Sequence, residues 1–285
     1  MYQLKCAVSV RMSDADNPEL LDALKEQGIT ALEIAATDIC AAPLEEQEVY
    51  LEKTEKWLDY FKEQGFILHS FHMNFGPYYC LFNFDDKERA EAVERTLSLT
   101  KRVAPYGFKY VVTHTNGWDF PEGGDRRLGI KNLKDSYRKI VKESPLPIAA
   151  EVLPRNCLGN TSKEMLEILN GIDGLKTVVD VNHIMQEKES DCIRALGSTI
   201  IGLHVSDRDN INERHWLPGK GIVDFNDVIS ALEEIGYNDY FTYEVAAMKT
   251  AEDVKNVAEN YKKLFLEYNS KRDVSKPAVI EKRDI

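Results

Sequence analysis

The sequence has few cysteines, and none is arranged for a metal ribbon or a redox pair. The 285 residues include five cysteines, which lie far apart, and no Cys-x-x-Cys pair occurs. This excludes a zinc ribbon and a thioredoxin-type motif. An odd number of isolated cysteines is typical of reduced thiols in a reducing compartment. The cysteines are Cys6, Cys40, Cys80, Cys157 and Cys192.

The sequence also lacks a long apolar run and an excess of positive charge. No segment reaches the length needed to span a membrane, and the apolar run at the N-terminus is too short for a signal peptide. We therefore predict a cytoplasmic protein without a membrane partner. The formal net charge is -12 and no basic stripe is present, which argues against nucleic acid as a partner. A small anionic ligand stays compatible, because net charge does not describe one pocket.

Glycine-rich phosphate loops are missing as well. No such turn follows the first predicted strand, so the sequence gives no support for dinucleotide binding, and we predict no nucleotide cofactor. The segment Gly219-Lys220-Gly221 lacks the Gly-x4-Gly-Lys-Ser/Thr spacing of a P-loop. Lys220 is therefore a candidate either for binding a substrate anion or for a solvated position at a pocket rim.

The sequence does contain a regular alternation of strands and helices. Eight short apolar segments, each followed by a helical pattern, run from Leu4 to Tyr268. Eight such units predict an α/β fold, a single (β/α)8 TIM barrel formed by residues 1–268. Residues 269–285 are charged and lack periodicity, which predicts a C-terminal extension. The predicted strands cover residues 4–10, 30–34, 66–71, 109–113, 147–152, 175–181, 199–205 and 240–245.

The histidines all occupy one kind of position. Each falls near the carboxyl end of a predicted strand or in the loop that follows, and none falls inside a helix. In a (β/α)8 barrel these strand ends meet at the face that carries the catalytic groups. Because regular strands alternate, His69 and His72 are expected on opposite faces, and we predict a structural role for His69. The other histidines are His114, His183, His204 and His215.

Three acidic residues join the histidines inside otherwise apolar strands. Glu151, Asp180 and Glu244 lie at the ends of predicted strands, and His204 lies in another. Pointed inward together, the carboxylates would repel one another unless they are paired or bind a metal. A structural ion-pair network is the alternative, but no Lys or Arg occupies the matching strand ends. Oxygen ligands with one imidazole suit a divalent ion such as Mn, Mg, Co or Zn.

These motifs resemble the xylose isomerase-like barrel superfamily, in the sugar phosphate isomerase/epimerase branch that includes inosose isomerases and tagatose 3-epimerases. The resemblance covers residues 4–268 and is carried by Asp-x-x-His after strand six and His-x-x-Asp in strand seven, between two strand-end glutamates. It implies one divalent metal held by Glu151, Asp180, His204 and Glu244. His183 is expected to face the substrate or a second metal. Dimers and tetramers are common among resembling proteins, so a homodimer or homotetramer is the candidate assembly.

The chemistry that the resemblance implies is proton transfer beside a carbonyl. Glu151 and Glu244 would approach from opposite sides, one to remove a proton and the other to return one. We therefore expect a metal-dependent isomerase or epimerase of a small sugar, sugar phosphate or inosose-type polyol ketone, acting through an enediolate. A metal-dependent dehydratase of a cyclic polyol (inosose or dehydroshikimate type) stays open. Arg155, Lys220 and Trp118 are candidates for further contacts with this carbohydrate-like substrate.

A more distant resemblance is to endonuclease IV, a zinc phosphodiesterase of the same superfamily. There, an Asp-x-His pair after strand seven and histidines from strands three and four hold further zinc ions. Here Glu213 and His215 stand in the place of that pair, and His72 and His114 could take the other positions. These four residues are therefore candidates either for a second metal or for substrate binding, and His72 and His114 could also be hydrogen-bonded histidines that line the pocket. The acidic charge and the missing glycine-containing recognition loop argue against a nuclease.

Overall fold

The structure, a computed structural model, describes residues 1–11, 17–36, 39, 46–73, 76–116, 119–246 and 248–272. Eight of their ten strands follow the predicted segments closely and end near the predicted residues. The strands are β1 (Lys5–Arg11), β2 (Ala31–Ala35), β3 (Ile67–Met73), β4 (Tyr110–Thr113), β5 (Ile148–Glu151), β6 (Lys176–Asp180), β7 (Ile200–Val205), β8 (Asp207–Arg208), β9 (Glu213–Trp216) and β10 (Tyr240–Tyr243).

Eight of these strands close into one parallel barrel. Their spatial order is β1-β10-β7-β6-β5-β4-β3-β2, and β1 pairs with both β2 and β10. The predicted (β/α)8 TIM barrel is confirmed. The remaining two strands, β8 and β9, form an antiparallel hairpin after β7. That hairpin was not predicted, because its strands are too short to give a periodic pattern.

Helices follow the strands, and acidic or hydroxyl side chains cap several of them. Asp85, Asp125 and Asp224 each accept backbone hydrogen bonds from the first turn of the next helix. No described helix combines the length and the apolar character needed to cross a membrane. The described helices are α1 (Pro18–Glu26), α2 (Gln47–Glu63), α3 (Asp86–Val103), α4 (Arg126–Glu143), α5 (Ser162–Leu169), α6 (Glu189–Leu196), α7 (Phe225–Glu234) and α8 (Ala251–Lys271).

The C-terminal extension predicted from residue 269 begins within the last turn of α8. That helix is capped at its start by Thr250 and Asp253, whose side chains bond reciprocally to each other's backbone N–H groups. It ends at Lys271. Residues 273–285 lie outside the described part of the chain, so the extension stays a prediction.

The core has an outer and an inner part. The outer part lies between the strands and the helices, and it includes Val111 and Ala150. The inner part is a small cluster of Tyr110, Val112, Ala149 and Val178, with Ile201 packed against it. Because successive residues of a strand point to opposite faces, Tyr110 and Val112 face the barrel interior while Val111 faces the helices. The interior is therefore filled by side chains in layers, as in other barrels of this type.

Two β-bulges change the alternation of side chains in the barrel. Between β2 and β3 the register passes from Leu32↔Leu68 to Glu33↔Ser70, so His69 is the extra residue. Its ring packs edge-on against the interior ring of Tyr110, with centroids 5.3 Å apart. The prediction that His69 and His72 lie on opposite faces is therefore wrong, because the bulge shifts the alternation by one residue. A second bulge lies between β6 and β7, after Thr177.

Replacing Gly202 with alanine is expected to destabilise the barrel by about 1–3 kcal/mol, the usual range for overpacking. A Cβ there would lie 2.2 Å from Tyr110 Oη and 2.9 Å from Val178 Cγ2. Urea unfolding followed by circular dichroism measures the change. Adding Tyr110→Phe removes the closest atom and should recover part of the loss. A Gly202→Ala protein as stable as the parent would contradict this packing.

Candidate functional site

A cavity of about 540 Å³ opens at the carboxyl ends of the barrel strands. Asp180 and His204 are fully buried beside it. Other sequence-predicted candidates reach the cavity wall from the ends of β3 and β5, from β9, and from the loops after β4, β5, β6 and β10. These lining candidates are His72, His114, Glu151, Arg155, His183, Glu213, His215 and Glu244.

Glu151 ends β5, and four imidazoles surround its carboxylate. Oε2 lies 3.1 Å from His72 Nε2 and 2.9 Å from His114 Nε2. Oε1 lies 3.0 Å from His204 Nδ1 and 3.5 Å from His183 Nδ1. Burial raises the pKa of Glu151, but His114, His72 and His204 outweigh burial and hold that pKa well below its ordinary value. The carboxylate is therefore ionised at neutral pH although it is fully buried.

His72, Glu151, His204 and Glu244 form the first group that could hold a metal ion. Each offers one ligand atom, and these atoms all lie within 4.8 Å of one another. Glu244 Oε2 lies 3.2 Å from His204 Nδ1, the nitrogen that also contacts Glu151. The Glu244 side chain is 26% exposed and faces the cavity, whereas the other three are buried.

Asp180, His183 and His215 form a second group, again with one ligand atom each within 4.8 Å. His183 Nε2 lies 3.3 Å from Asp180 Oδ2. The resemblance implied Asp180 as a ligand together with Glu151, His204 and Glu244, whereas in the structure His72 is grouped with those three residues. The two groups adjoin, since His183 Nδ1 of the second group lies 3.5 Å from Glu151 Oε1 of the first. Burial and the Glu244 carboxylate raise the pKa of Asp180.

Two carboxylate oxygens in these groups accept no hydrogen bond from any described residue. Asp180 Oδ2 and Glu244 Oε2 are both buried. The nearest histidine nitrogens, at 3.3 and 3.2 Å, are not aligned to donate. A buried charged acceptor left without a partner is strongly destabilising. A divalent cation held by the first group would satisfy Glu244 Oε2, and the second group offers the same kinds of ligand around Asp180 Oδ2. Carboxylates with imidazoles are suitable ligands for such an ion. The residues present therefore fit such an ion.

The sequence profile of xylose isomerase-like TIM barrels matches residues 21–265, which include both groups. The chain belongs to this family. Family membership agrees with the closed barrel and with the polar cavity at the carboxyl ends of its strands.

Three proteins similar to this chain have low sequence identity to it, between 20% and 26%. Inosose isomerase of Bacillus velezensis is 26% identical over 182 residues, covering 57% of this chain and 62% of that protein, so less than two thirds of its length is matched. A D-tagatose 3-epimerase-like protein superposes with a TM-score of 0.76 at 21% identity, covering 94% of this chain and 99% of that one. The zinc-containing structure of the IolI protein gives 0.71 at 20% identity, covering 95% and 100%. At these identities, the structures support a shared fold.

One buried acid of this xylose isomerase-like barrel was not among the predicted candidates. Glu33 lies in β2 and is 1% exposed. Its Oε2 accepts hydrogen bonds from Ser70 Oγ at 2.8 Å and from His204 Nε2 at 3.0 Å. A signal was present in the sequence, because Glu33 interrupts the apolar residues Leu32 and Ile34 as Glu151 interrupts its own strand.

The hairpin after β7 holds His215 in an uncommon backbone conformation. His215 has φ 48°, in the left-handed region that non-glycine residues rarely adopt. Asn182 Oδ1 accepts the backbone N–H of Arg214 at 3.0 Å, and Asp207 Oδ2 accepts those of Gly219 and Gly221 at 2.8 and 2.7 Å. Asp207, the acid of the His-x-x-Asp motif, therefore organises the loop that presents His215.

The weaker candidates have different surroundings. Arg155 lines the cavity and pairs with Asp119 at 2.9 Å and with Glu213, so Glu213 does not join the second group. Lys220 is exposed and does not line the cavity. Trp118 lies outside the described residues.

Adding a divalent cation is expected to raise the melting temperature. A ligand at one hundred times its dissociation constant stabilises the folded state by about 2.7 kcal/mol, and Glu244 Oε2 in the first group is buried without a hydrogen-bond partner. Scanning fluorimetry with Mn, Mg, Co or Zn after chelator treatment measures the shift. Glu244→Gln should lose most of it, whereas Glu259→Gln, on an exposed position of α8, should keep it. No shift with any ion, or an equal shift in Glu244→Gln, would refute the site.

Proposed function

We propose that this protein is a metal-dependent isomerase or epimerase of a small sugar or an inosose-type polyol ketone. One observation carries the proposal: two carboxylates, Glu151 and Glu244, line the same cavity and approach the same nitrogen, His204 Nδ1, at 3.0 and 3.2 Å. They come from β5 and from the end of β10, two strands separated by β6 and β7. A small ketone in this cavity would therefore meet two carboxylates from different sides.

His72, Glu151, His204 and Glu244 would hold the divalent ion. When bound, the ion would polarise the substrate carbonyl, which lowers the pKa of the neighbouring C–H and stabilises the enediolate. The surrounding apolar wall, which includes Leu153, Val245 and Met248, would limit the access of water to the reacting carbon.

Glu151 and Glu244 would move the proton. In the metal-free protein, burial raises the pKa of each carboxylate, but the neighbouring histidines outweigh burial and lower it. With the ion bound, its positive charge would keep the carboxylates ionised in turn, so each could accept a proton at neutral pH. A proton returned to the same carbon from the other side gives an epimer, and one returned to the neighbouring carbon gives an isomer. The assignment of the two roles follows from the stereochemistry of the product.

The names of the relatives support this class of reaction. One relative, from Bacillus velezensis, is an inosose isomerase, and the similar solved structures include a D-tagatose 3-epimerase-like protein. A cavity of about 540 Å³ is in the range of small-ligand sites. The phosphodiesterase alternative is weaker, because Glu213, which it needs as a metal ligand, pairs through Oε1 with Arg155 and belongs to neither group of converging ligand atoms among the described residues.

Proton exchange with solvent tests the proposal. The metal-loaded protein is incubated with a panel of ketoses and inososes in deuterated water, and NMR follows deuterium at the carbon beside the carbonyl. We expect exchange and a new isomer or epimer with at least one compound. Glu151→Gln and Glu244→Gln should lower the rate by about 10²–10⁴-fold.

Metal content measured on the same preparations separates the alternatives. One ion per chain, lost in Glu244→Gln and kept in His215→Ala, supports the proposal. Loss of water from the substrate would instead indicate a dehydratase. Cleavage of a phosphodiester with several bound zinc ions would indicate the nuclease. A stably bound ion with no exchange for any compound would indicate a barrel that binds sugars without turning them over.

A further inference from the structure

We propose that Glu33 is a positioning residue that fixes the tautomer and the ring orientation of His204 for the divalent ion. The inference rests on the proposed metal site and extends it to a residue outside the ligand group. It is carried by the geometry of a buried chain of contacts from Ser70 through Glu33 and His204 to Glu151 and Glu244.

The two nitrogens of His204 face different partners. Nε2 lies 3.0 Å from Glu33 Oε2, and Nδ1 faces Glu151 and Glu244 in the ligand group. A histidine can bind a metal ion only through a nitrogen that carries no proton. Carboxylates face both nitrogens, but an ion in the ligand group would engage Glu151 and Glu244, which leaves Glu33 Oε2 as the acceptor for a ring proton. Glu33 therefore favours the tautomer with the proton at Nε2 when the ion is bound. The lone pair of Nδ1 is then directed towards the ligand group.

A bulge brings Glu33 and its second donor together. In a regular pairing, Glu33 would stand opposite His69, but the extra residue in β3 puts Ser70 there instead. Ser70 Oγ then donates to Glu33 Oε2 at 2.8 Å, while Ser70 itself is fully buried. Bulges are frequent beside active sites, where they redirect a side chain. Here the bulge supplies the hydrogen bond that holds the Glu33 carboxylate against His204.

The Glu33 carboxylate makes no other side-chain hydrogen bond with the described residues. Its other oxygen, Oε1, is buried and accepts no hydrogen bond from any described residue. The described side-chain hydrogen bonds that the carboxylate accepts are therefore those from Ser70 and His204. Histidines that bind a metal through one ring nitrogen usually donate a hydrogen bond to a carboxylate from the other. Glu33 is in the position of that carboxylate for His204.

The first test is metal affinity, with the ion alone as the probe. Competition with a coloured chelator gives the dissociation constant for Zn²⁺ and Co²⁺ in the parent protein and in Glu33→Gln. We expect binding to weaken by about 10–100-fold, the usual effect of removing such a partner. Glu189→Gln is the matched control, because it also neutralises a buried glutamate, one that pairs with Arg208 at 2.7 Å away from the ligand group. It should leave the affinity unchanged.

The second test reads the tautomer directly. Nitrogen-15 NMR of the imidazoles in the metal-loaded parent protein should show His204 protonated at Nε2 and unprotonated at Nδ1. Ser70→Ala leaves the carboxylate in place but removes its second bond, so it should weaken metal binding by a few fold only. This variant, together with Glu33→Asp, keeps the test valid if Glu33→Gln fails to fold.

The outcomes separate this inference from the proposed function. If the parent protein binds the ion and Glu33→Gln binds it equally well, the positioning role is overturned and the metal site stands. A lower melting temperature of metal-free Glu33→Gln with unchanged affinity would also overturn it, in favour of a purely structural role. If the parent protein itself binds no divalent ion, the proposed function fails and this inference fails with it.

Discussion

One buried carboxylate, that of Glu151, determines how the carboxyl end of the barrel is built. An ionised carboxylate without exposure is strongly unfavourable unless both oxygens have partners. Four imidazoles provide them, and they come from β3, β7 and the loops after β4 and β6. Polar contacts as well as backbone hydrogen bonds therefore tie these strands in register. A slip of one residue in any of them would turn its imidazole towards the helices.

The barrel was predictable because its signals are local. Short apolar runs, and capping residues such as Asp125 and Asp224, mark each strand and helix within a few residues. The bulge in β3 has no such signal, because it depends on how β2 and β3 pair. That is why the face occupied by His69 was predicted wrongly. It is also why Glu33, which meets its partners Ser70 and His204 only across strands, was not recognised.

The loop after β7 also depends on contacts between residues that are distant in the sequence, which local patterns do not predict. The His-x-x-Asp motif was recognised, but not what its acid does. Asp207 accepts backbone hydrogen bonds from residues 12, 14 and 16 positions later, which close the loop around its carboxylate. At Gly221 a Cβ would lie 2.1 Å from Arg208 O, so the closure needs a glycine. Glu213 was a candidate for binding substrate or a second metal, and its pairing with Arg155 depends on the hairpin that this closure shapes.

The carboxylates and imidazoles of the site form one layer inside the barrel, and an apolar layer lies next to it, nearer the amino ends of the strands. Ala149, Val178 and Gly202 each precede by two residues a member of the polar layer, so they face the interior one step closer to the amino ends of their strands. The ring of Tyr110 lies across this apolar layer, in the space that a side chain at residue 202 would fill. On the side facing the amino ends of the strands, solvent therefore cannot screen the charges of the carboxylates and imidazoles. In such an environment their direct contacts with one another, rather than water, set where each ligand atom lies, so a single carboxylate behind His204 has a large effect on the site.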